Sequence, residues 1–149
     1  MKHNKKVVGY VSGVFDLFHV GHLNLLERAK RYCDYLIVGV VADDVCFAYK
    51  NRYPIICTEE RRRIIESIKY TDEAVVEETV EIMNDKMWSY NKYKFDITFV
   101  GDDWKGTEKW NRYEKEFAEI GVRIMYLPYT QNVSTTKIKE QIRDLYNMF

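Results

Sequence analysis

The sequence predicts one α/β domain, built as an open parallel sheet with helices packed against it. Three observations indicate this class: short apolar runs alternate with segments of helical spacing, no repeat interrupts the alternation, and 46% of the 149 residues are hydrophobic. A chain of this size buries its core within one unit, so we assign residues 1–149 to a single domain. Ligands of such sheets bind beyond the carboxyl ends of the strands.

The chain begins with a predicted strand–helix–strand unit. Residues 7–12 form an apolar run rich in β-branched side chains, and Gly13 then indicates a tight turn. Residues 21–32 place apolar side chains at helical spacing, which predicts an amphipathic helix. Residues 35–42 are almost continuously apolar, as in a parallel strand buried on both faces.

The rest of the chain continues the alternation. Thr58 precedes two glutamates and is the predicted N-cap of a helix that runs to about Lys69. The later elements are predicted as a strand at 74–76, a helix at 80–93, a strand at 96–101, a helix at 107–120, a strand at 122–127 and a last helix. Gly121 is a natural residue to follow a helix, and Ser134 is a natural N-cap for the last one.

Composition narrows the function. The 23 basic and 23 acidic residues cancel, so no bulk electrostatic field attracts nucleic acid or an anionic membrane, and we expect neither as a partner. No apolar run reaches the roughly 18 residues of a membrane span, and residues 1–6 lead into a strand rather than a signal peptide, which predicts a cytoplasmic protein. Three cysteines without a CxxC pair favour reduced thiols over disulfides or zinc.

Two histidines three residues apart, His19 and His22, follow the first strand at the start of the predicted helix. A helix N-terminus favours phosphate, and two imidazoles there can donate hydrogen bonds to a phosphoryl group that gains charge. Gly21 allows the backbone to approach such a ligand closely. From these residues alone two other interpretations stay open: ordinary polar groups near a turn, or a metal-binding pair, although the HExxH spacing of zinc enzymes is absent.

Hydroxyl and cationic side chains are further candidates for phosphate binding. Ser134, Thr135 and Thr136 precede the last helix, whose first N–H groups lack internal partners and can hold the β and γ phosphates together with these hydroxyls. Lys50 and Arg52 lie on a polar stretch after the second strand, where flexible cations can close over phosphates. Ordinary N-capping and a solvated loop are the alternatives.

Two carboxylates are candidate ligands for a nucleotide or for Mg²⁺. Asp102 follows the predicted strand at 96–101, where side chains meet the cleft of a parallel sheet. Asp16 lies beside the histidines, and either carboxylate can instead cap a turn. Trp104 either lines this cleft or joins the core with Trp110.

Three segments resemble known motifs, in chain order. Residues 13–22 (GVFDLFHVGH) resemble the signature of the cytidylyltransferase family within the HxGH nucleotidyltransferase superfamily. Residues 101–104 (GDDW) and 133–138 (VSTTKI) resemble the GDDW and ISTTKI segments of glycerol-3-phosphate cytidylyltransferases. The resemblance implies a Rossmann-like fold, CTP as cosubstrate with Mg²⁺, release of pyrophosphate and a homodimer.

The resemblance also implies roles for single residues. The catalytic candidates are His19, His22, Lys50 and Arg61. Arg61 is included because it matches an arginine that the family carries in the segment at residues 59–63. Nucleotide contacts are implied for a larger set: Gly13, Val14, Phe15, Asp16, Gly21, Asp102, Ser134, Thr135 and Thr136. Substrate contacts are implied for Lys50, Arg52 and Lys69, and the metal ligand stays open between Asp16 and Asp102.

Two positions depart from the family pattern. The family has an arginine where this chain has Tyr129, before the hydroxyl run, and another where it has Lys69, which keeps the charge but loses the bidentate fork. The acceptor of the predicted CMP transfer therefore stays open between glycerol 3-phosphate, glycerol 2-phosphate, another phosphopolyol and phosphocholine. An ATP-dependent adenylyltransferase and a noncatalytic nucleotide-binding module also stay open. The glycerol-phosphate resemblance suggests a role in capsule or teichoic-acid precursor synthesis.

Overall fold

A computed structural model describes residues 5–148 of the chain. Its elements are β1 (Val8–Gly13), α1 (Val20–Lys30), β2 (Tyr35–Val41), α2 (Asp43–Lys50), α3 (Thr58–Ser67), β3 (Glu73–Glu77), α4 (Glu81–Asn84), α5 (Lys86–Tyr93), β4 (Ile97–Gly101), α6 (Glu108–Glu119), β5 (Arg123–Leu127) and α7 (Thr135–Asn147). A 3₁₀ turn, Asp102–Trp104, follows β4. The predicted alternation of strands and helices is confirmed.

The five strands form one parallel sheet in the order β3-β2-β1-β4-β5. The chain builds outward from β1 to β3 and then returns to place β4 on the other side of β1, so the topological switch point lies between β1 and β4. Paired residues join β1 to β2 along its whole length, but β1 pairs with β4 only at Gly9↔Ile97 and Tyr10↔Thr98. The two strands therefore separate toward their carboxyl ends, and this opens a crevice where a Rossmann-like sheet binds its ligands.

Both faces of the sheet are covered by helices. Tyr10 and Val11, neighbours on β1, are each 1% exposed and belong to separate buried clusters. One cluster packs Val11 against α1 and α3 through residues such as Leu26 and Ile65. The other packs Tyr10 against aromatic side chains from α6. Alternate side chains of β1 are thus buried on opposite faces. In β2 every residue after Tyr35 is buried, which confirms the prediction of a strand covered on both faces at residues 35–42.

The buried side chain of Glu77 connects three strands near the carboxyl end of the sheet. Glu77 is fully buried, and its Oε2 accepts a 2.6 Å hydrogen bond from the Ser12 hydroxyl, two strands away. Its side chain crosses β2 at Gly39, where a Cβ would collide with Oε1. Oε1 itself has no hydrogen-bond partner. Burial raises the pKa of Glu77 to about 7, and the charges of Lys86 and Lys92 oppose that rise only in part.

The segment after β2 differs from the prediction. Residues 43–50 form a helix, so Lys50 ends α2 instead of lying on an extended loop, and Asn51 leaves the helix in the left-handed region with φ 56°. The predicted N-cap of α3 is also wrong by one residue, because Cys57 is the N-cap. Thr58 instead links the two helices: its Oγ1 accepts from the Asp43 N–H at 2.9 Å, and its own N–H donates to Asp43 Oδ2 at 3.2 Å.

The predicted helix at 80–93 is divided. Asp85 has extended backbone angles between α4 and α5, and its side chain accepts from the Met87 N–H, so it caps the second piece. Two other predicted helix ends are confirmed. Gly121 follows α6 with φ 75°, and the Ser134 hydroxyl accepts from the Lys137 N–H at 3.1 Å at the start of α7.

Three smaller predictions concern the ends, thiols and helices of the chain. Residues 1–6 were predicted to lead into a strand and not to form a signal peptide, and residues 1–4 of this segment lie outside the described range. The three cysteines are free thiols; Cys33 and Cys46 are buried and Cys57 is exposed. Within residues 5–148, each helix is too short or too polar to cross a bilayer.

Candidate active site

The two motif histidines form the cap of α1. His19 is the N-cap residue, and its Nδ1 accepts a 3.0 Å hydrogen bond from the Gly21 N–H. His22 Nδ1 in turn accepts from the His19 N–H at 3.3 Å. This reciprocal pattern is a capping box in which imidazole nitrogens replace the usual hydroxyl and carboxylate oxygens. The turn therefore fixes both rings through their backbone-facing nitrogens.

Capping leaves the other nitrogen of each ring as a donor. Because Nδ1 accepts in both rings, the neutral tautomer carries its proton on Nε2. The rings stack with centroids 3.7 Å apart, and His22 also packs on Phe15 and Phe18. Burial lowers the pKa of His19, and it lowers the pKa of His22 to about 4, with His19 adding to the effect and Asp16 opposing it. Near neutral pH both rings are thus uncharged Nε2–H donors.

Gly21 is required by the cap itself. A Cβ at this position would lie 2.8 Å from His19 Cε1 and 2.9 Å from Nδ1. Any side chain would therefore displace the ring that caps the helix. The sequence-based explanation, close approach of a nucleotide, stays a prediction, although Gly21 does line a cavity beside the motif.

Two cavities meet at the histidines, and they differ in chemistry. The first, of about 240 Å³, we call the cationic cavity; it is lined by Val14, Phe15, Asp16, His22, Cys46, Lys50, Arg52, Tyr53, Pro54, Thr135, Thr136 and Lys139. The second, of about 250 Å³, we call the aromatic cavity; it is lined by His19, Gly21, His22, Leu25, Gly101, Asp103, Trp104, Pro128, Tyr129, Thr130, Val133, Ser134 and Thr135. His22 and Thr135 line both, so they mark the junction.

The hydroxyl run closes this junction from the other side. Ser134 caps α7, and the Thr135 hydroxyl donates a 2.8 Å hydrogen bond to the Asp16 carbonyl. That bond ties the start of α7 to the loop before α1. Two helix N-termini therefore flank the junction, and their unpaired N–H groups and dipoles favour phosphate there.

Asp16 organises the loop rather than lining the cavity as a free ligand. Its carboxylate is almost fully buried and accepts hydrogen bonds from the N–H groups of Leu17, Ile55 and Ile56. Lys139 Nζ lies 3.5 Å from its Oδ2. Three N–H donors and one ammonium group thus surround the two oxygens, and a metal contact of Asp16 stays a prediction. Phe15, on one side of it, has φ 56°, and this loop conformation is held against its cost by those bonds.

Arg61 also has a different place from the one expected. Its side chain is fully buried and does not line either cavity. Its five N–H groups are matched by five acceptors: the carbonyls of Val14, Val41 and Ile56, the Asp43 carboxylate and the Thr58 hydroxyl. The predicted catalytic contact of Arg61 stays a prediction, and the structure gives this side chain a structural role. Arg61 holds the ends of β1 and β2 and the segment before α3 in register, beneath the cationic cavity.

Comparison with known proteins identifies the family. A model of cytidylyltransferase-like proteins matches residues 10–141. The chain belongs to the cytidylyltransferase-like family. It is 38% identical over 141 residues to glycerol-3-phosphate cytidylyltransferase of Bacillus subtilis, an alignment that covers 95% of this chain and 99% of that protein.

Two further matches extend the comparison. The chain is 31% identical over 149 residues to FAD synthase of Pyrococcus abyssi, covering 98% of this chain and 99% of that protein. A solved structure of a lipopolysaccharide core biosynthesis protein from Thermoplasma volcanium matches with a TM-score of 0.68 at 24% identity, over 87% of this chain and all of that one. The structural match shows the fold that this cytidylyltransferase-like protein shares.

In this cytidylyltransferase-like protein Asp103, and not the predicted Asp102, lines a cavity after β4. Asp102, the predicted ligand, accepts a 3.1 Å hydrogen bond from the Tyr129 N–H and does not line either cavity. Asp103 lines the aromatic cavity and packs against Gly101, where a Cβ would collide with its carboxylate. The sequence pattern placed a carboxylate here correctly, but it could not show which of two neighbours faces the cleft.

Lys69 lies away from both cavities. It precedes β3, at the amino edge of the sheet, whereas the cavities lie at the carboxyl edge. Its ammonium group stands 5.2 Å from the centroid of the Tyr70 ring. The structure does not place Lys69 with the other candidates, and its substrate contact stays a prediction. Gly13 likewise lines neither cavity and instead packs against the Phe15 ring, 3.0 Å from where its Cβ would lie.

The other predicted residues come together. Val14, Phe15, Lys50, Arg52 and Thr136 line the cationic cavity, and Trp104 lines the aromatic one while Trp110 is in the core. Sequence reasoning missed several lining residues with functional groups, among them Tyr53, Asp103 and Lys139. Helical spacing could have found Lys139, because it lies four residues after Thr135 on α7.

Proposed function

We propose that this enzyme transfers CMP from CTP to a small phosphorylated alcohol, with glycerol 3-phosphate as the first acceptor, and releases pyrophosphate. One observation carries the proposal: two neutral imidazole donors, His19 and His22, stand at the junction of a cationic and an aromatic cavity. A nucleoside suits the aromatic cavity, and phosphates suit the cationic one. The relative from Bacillus subtilis, named as a glycerol-3-phosphate cytidylyltransferase, supports CTP and this acceptor.

The proposed reaction is an in-line displacement at the α-phosphorus. An anionic oxygen of the acceptor's phosphate forms a bond to this phosphorus while the bond to the β-phosphate oxygen breaks, and pyrophosphate leaves. The attacking oxygen carries no proton, so no general base is required. The Nε2–H groups of His19 and His22 donate to the α-phosphate oxygens, where negative charge increases in the transition state.

Cations and backbone dipoles supply the rest of the stabilisation. Lys50 and Arg52 are exposed at the edge of the cationic cavity, where they neutralise the phosphates that face them. The N-termini of α1 and α7 add N–H donors from two directions. Catalysis of this kind is positioning and charge stabilisation, with no covalent intermediate on the enzyme.

Mg²⁺ belongs to the proposal as a cofactor that enters with the nucleotide. Among residues 5–148 no group of three or more histidine, cysteine or acidic side chains is placed to hold a metal ion. Magnesium typically takes one or two carboxylates, waters and the phosphates of its substrate, so this donor set fits an ion carried by the triphosphate. Asp103 is the carboxylate best exposed to the site. When bound, the ion neutralises charge on the departing pyrophosphate.

An ATP-dependent adenylyltransferase is the second candidate, because FAD synthases match the chain over nearly its whole length. The test is to incubate the purified protein with each nucleoside triphosphate, Mg²⁺ and a panel of phosphorylated alcohols while pyrophosphate is measured. A preference for CTP supports the proposal, and a preference for ATP overturns it. Calorimetric binding of CTP without pyrophosphate from any acceptor would indicate a noncatalytic nucleotide-binding module.

The biological setting is part of the same proposal. A homodimer, a cytoplasmic location and a role in capsule or teichoic-acid precursor synthesis are supported by the family resemblance. Light scattering at several protein concentrations measures the oligomeric state, and a monomer throughout would contradict the first of these expectations.

A further inference from the structure

We propose that Lys139 is a phosphate-binding residue of the active site, a role that rests on the proposed nucleotidyl transfer. It lies on α7, four residues after Thr135 and three after Thr136. These spacings place the three side chains on one face of a helix. All three line the cationic cavity together with Lys50 and Arg52.

Lys139 differs from the other two cations in how it is held. Lys50 and Arg52 are exposed residues at the end of α2 and in the turn beyond it. The Lys139 side chain is only 30% exposed, and its ammonium group lies 3.5 Å from Asp16 Oδ2. A half-buried, tethered lysine loses less conformational freedom on binding a ligand than a free one. Lys139 is therefore the preorganised charge of this cavity.

The contact with Asp16 does not use all the hydrogen-bond donors of the Lys139 ammonium group. Asp16 already accepts three backbone N–H bonds, so the lysine is not its sole partner. An ammonium group carries three N–H donors, and Asp16 Oδ2, 3.5 Å away, is a long contact that cannot satisfy all three. The remaining donors are available to a phosphate in the cavity. With Lys50 and Arg52, the wall has three cations against one carboxylate whose charge is already hydrogen-bonded.

Two phosphates share this chemistry: the terminal phosphates of the nucleotide and the phosphate of the acceptor. The nucleoside belongs to the aromatic cavity on the other side of His22, so either phosphate reaches the cationic cavity from the junction. Lys139 binds at least one of them. Separate measurements on each substrate decide which.

The test compares Lys139→Gln with Arg143→Gln. Arg143 lies one turn further along α7, is exposed and lines neither cavity, so its variant removes one positive charge from the same helix. Calorimetry measures the dissociation constants of CTP and of cytidine, and steady-state kinetics measures KM for glycerol 3-phosphate. For Lys139→Gln we expect about tenfold weaker CTP binding or a tenfold higher acceptor KM, with cytidine binding unchanged. Arg143→Gln should stay within about twofold of the wild type.

Each outcome decides the proposal. Weaker CTP binding assigns Lys139 to the triphosphate, and a higher KM for the acceptor alone assigns it to the acceptor phosphate. Equal weakening of CTP and cytidine would show that Lys139 only shapes the Asp16 loop, and unchanged values for all three ligands would show that it has no role; either result overturns the proposal. If the wild type binds CTP but makes no product, nucleotidyl transfer fails while the CTP and cytidine comparison still tests Lys139.

Discussion

The cationic and aromatic cavities are nearly equal in volume and share His22 and Thr135, yet their walls have different chemistry. The cationic wall presents Lys50, Arg52 and Lys139, whereas the aromatic wall presents Trp104 and Tyr129. The difference indicates that one side holds phosphates and the other holds a nucleoside. The shared His22, with His19 beside it, acts where the two parts of the ligand join. Substitutions should therefore separate into three classes by the cavity they change.

The shared residues should give the largest effect. We expect His22→Ala to lower kcat by about a hundredfold or more, because it removes a donor aimed at charge that develops in the transition state. Steady-state kinetics with CTP and glycerol 3-phosphate measures this loss. CTP binding, followed by calorimetry, should change much less than kcat, and a folded His22→Ala variant of normal turnover would contradict the role of the junction.

The cationic wall should give the next effect. Lys50→Gln and Arg52→Gln should each raise KM for CTP or for the acceptor by about tenfold, because each removes a positive charge from a phosphate site. Cytidine binding should be unchanged in both variants. Lys115→Gln, on the exposed side of α6, is the matched control and should behave as the wild type. Equal losses for cytidine and CTP would remove the distinction between the two cavities.

Substitutions in the aromatic wall should have a smaller effect, and unlike those in the cationic wall they should weaken cytidine binding as well as CTP binding. Trp104 is 46% exposed and lines only this cavity, so Trp104→Ala should weaken cytidine and CTP alike, by about fivefold. Calorimetry with both ligands checks this expectation. Weakened CTP binding with unchanged cytidine binding would place the triphosphate, rather than the nucleoside, against Trp104.

Glu77 lies outside both cavities and should affect stability without affecting transfer. Its pKa in the folded protein, about 7, is above its ordinary value of 4.5, so folding favours the protonated carboxyl. The unfolded state therefore releases its proton first as pH rises, and the free energy of unfolding should fall between about pH 4.5 and pH 7, by up to about 3 kcal/mol. Glu77→Gln should remove this fall while leaving kcat near the wild-type value.

Urea unfolding of the wild type and of Glu77→Gln at pH 4.5, 6 and 8 measures this pH dependence. Between pH 4.5 and pH 8 the free energy of unfolding should fall in the wild type and fall much less in Glu77→Gln. Parallel pH profiles would show that Glu77 is not a source of the dependence, and a large loss of kcat would show that its bond to Ser12 positions the loop that carries the histidines.

The features that the sequence predicted well depend on neighbours in the chain. The histidine turn, the Gly121 end of α6 and the Ser134 cap each need only a few adjacent residues to form. The parallel sheet followed from the alternation of strands and helices, whereas the order of its strands was not predicted. Local pattern and fold class were therefore accessible from the sequence.

The features that it missed depend on packing between distant segments. Helix α2 is eight residues long and is held to α3 through Asp43 and Thr58, a contact that periodicity cannot show. Arg61 matched a family position, but its burial follows from carbonyls supplied by three separate segments. The choice between Asp102 and Asp103 depends on which of them meets the Tyr129 N–H. Tertiary contacts decided these three roles.

The most direct measurement is the mass of the product that the wild-type protein makes from CTP and glycerol 3-phosphate in the presence of Mg²⁺. The site predicts a CDP-alcohol formed in a one-to-one ratio with pyrophosphate, and no product from ATP with the same acceptor. An adenylylated product, or CTP bound at the histidine junction without any transfer to a phosphorylated alcohol, would contradict the proposed function.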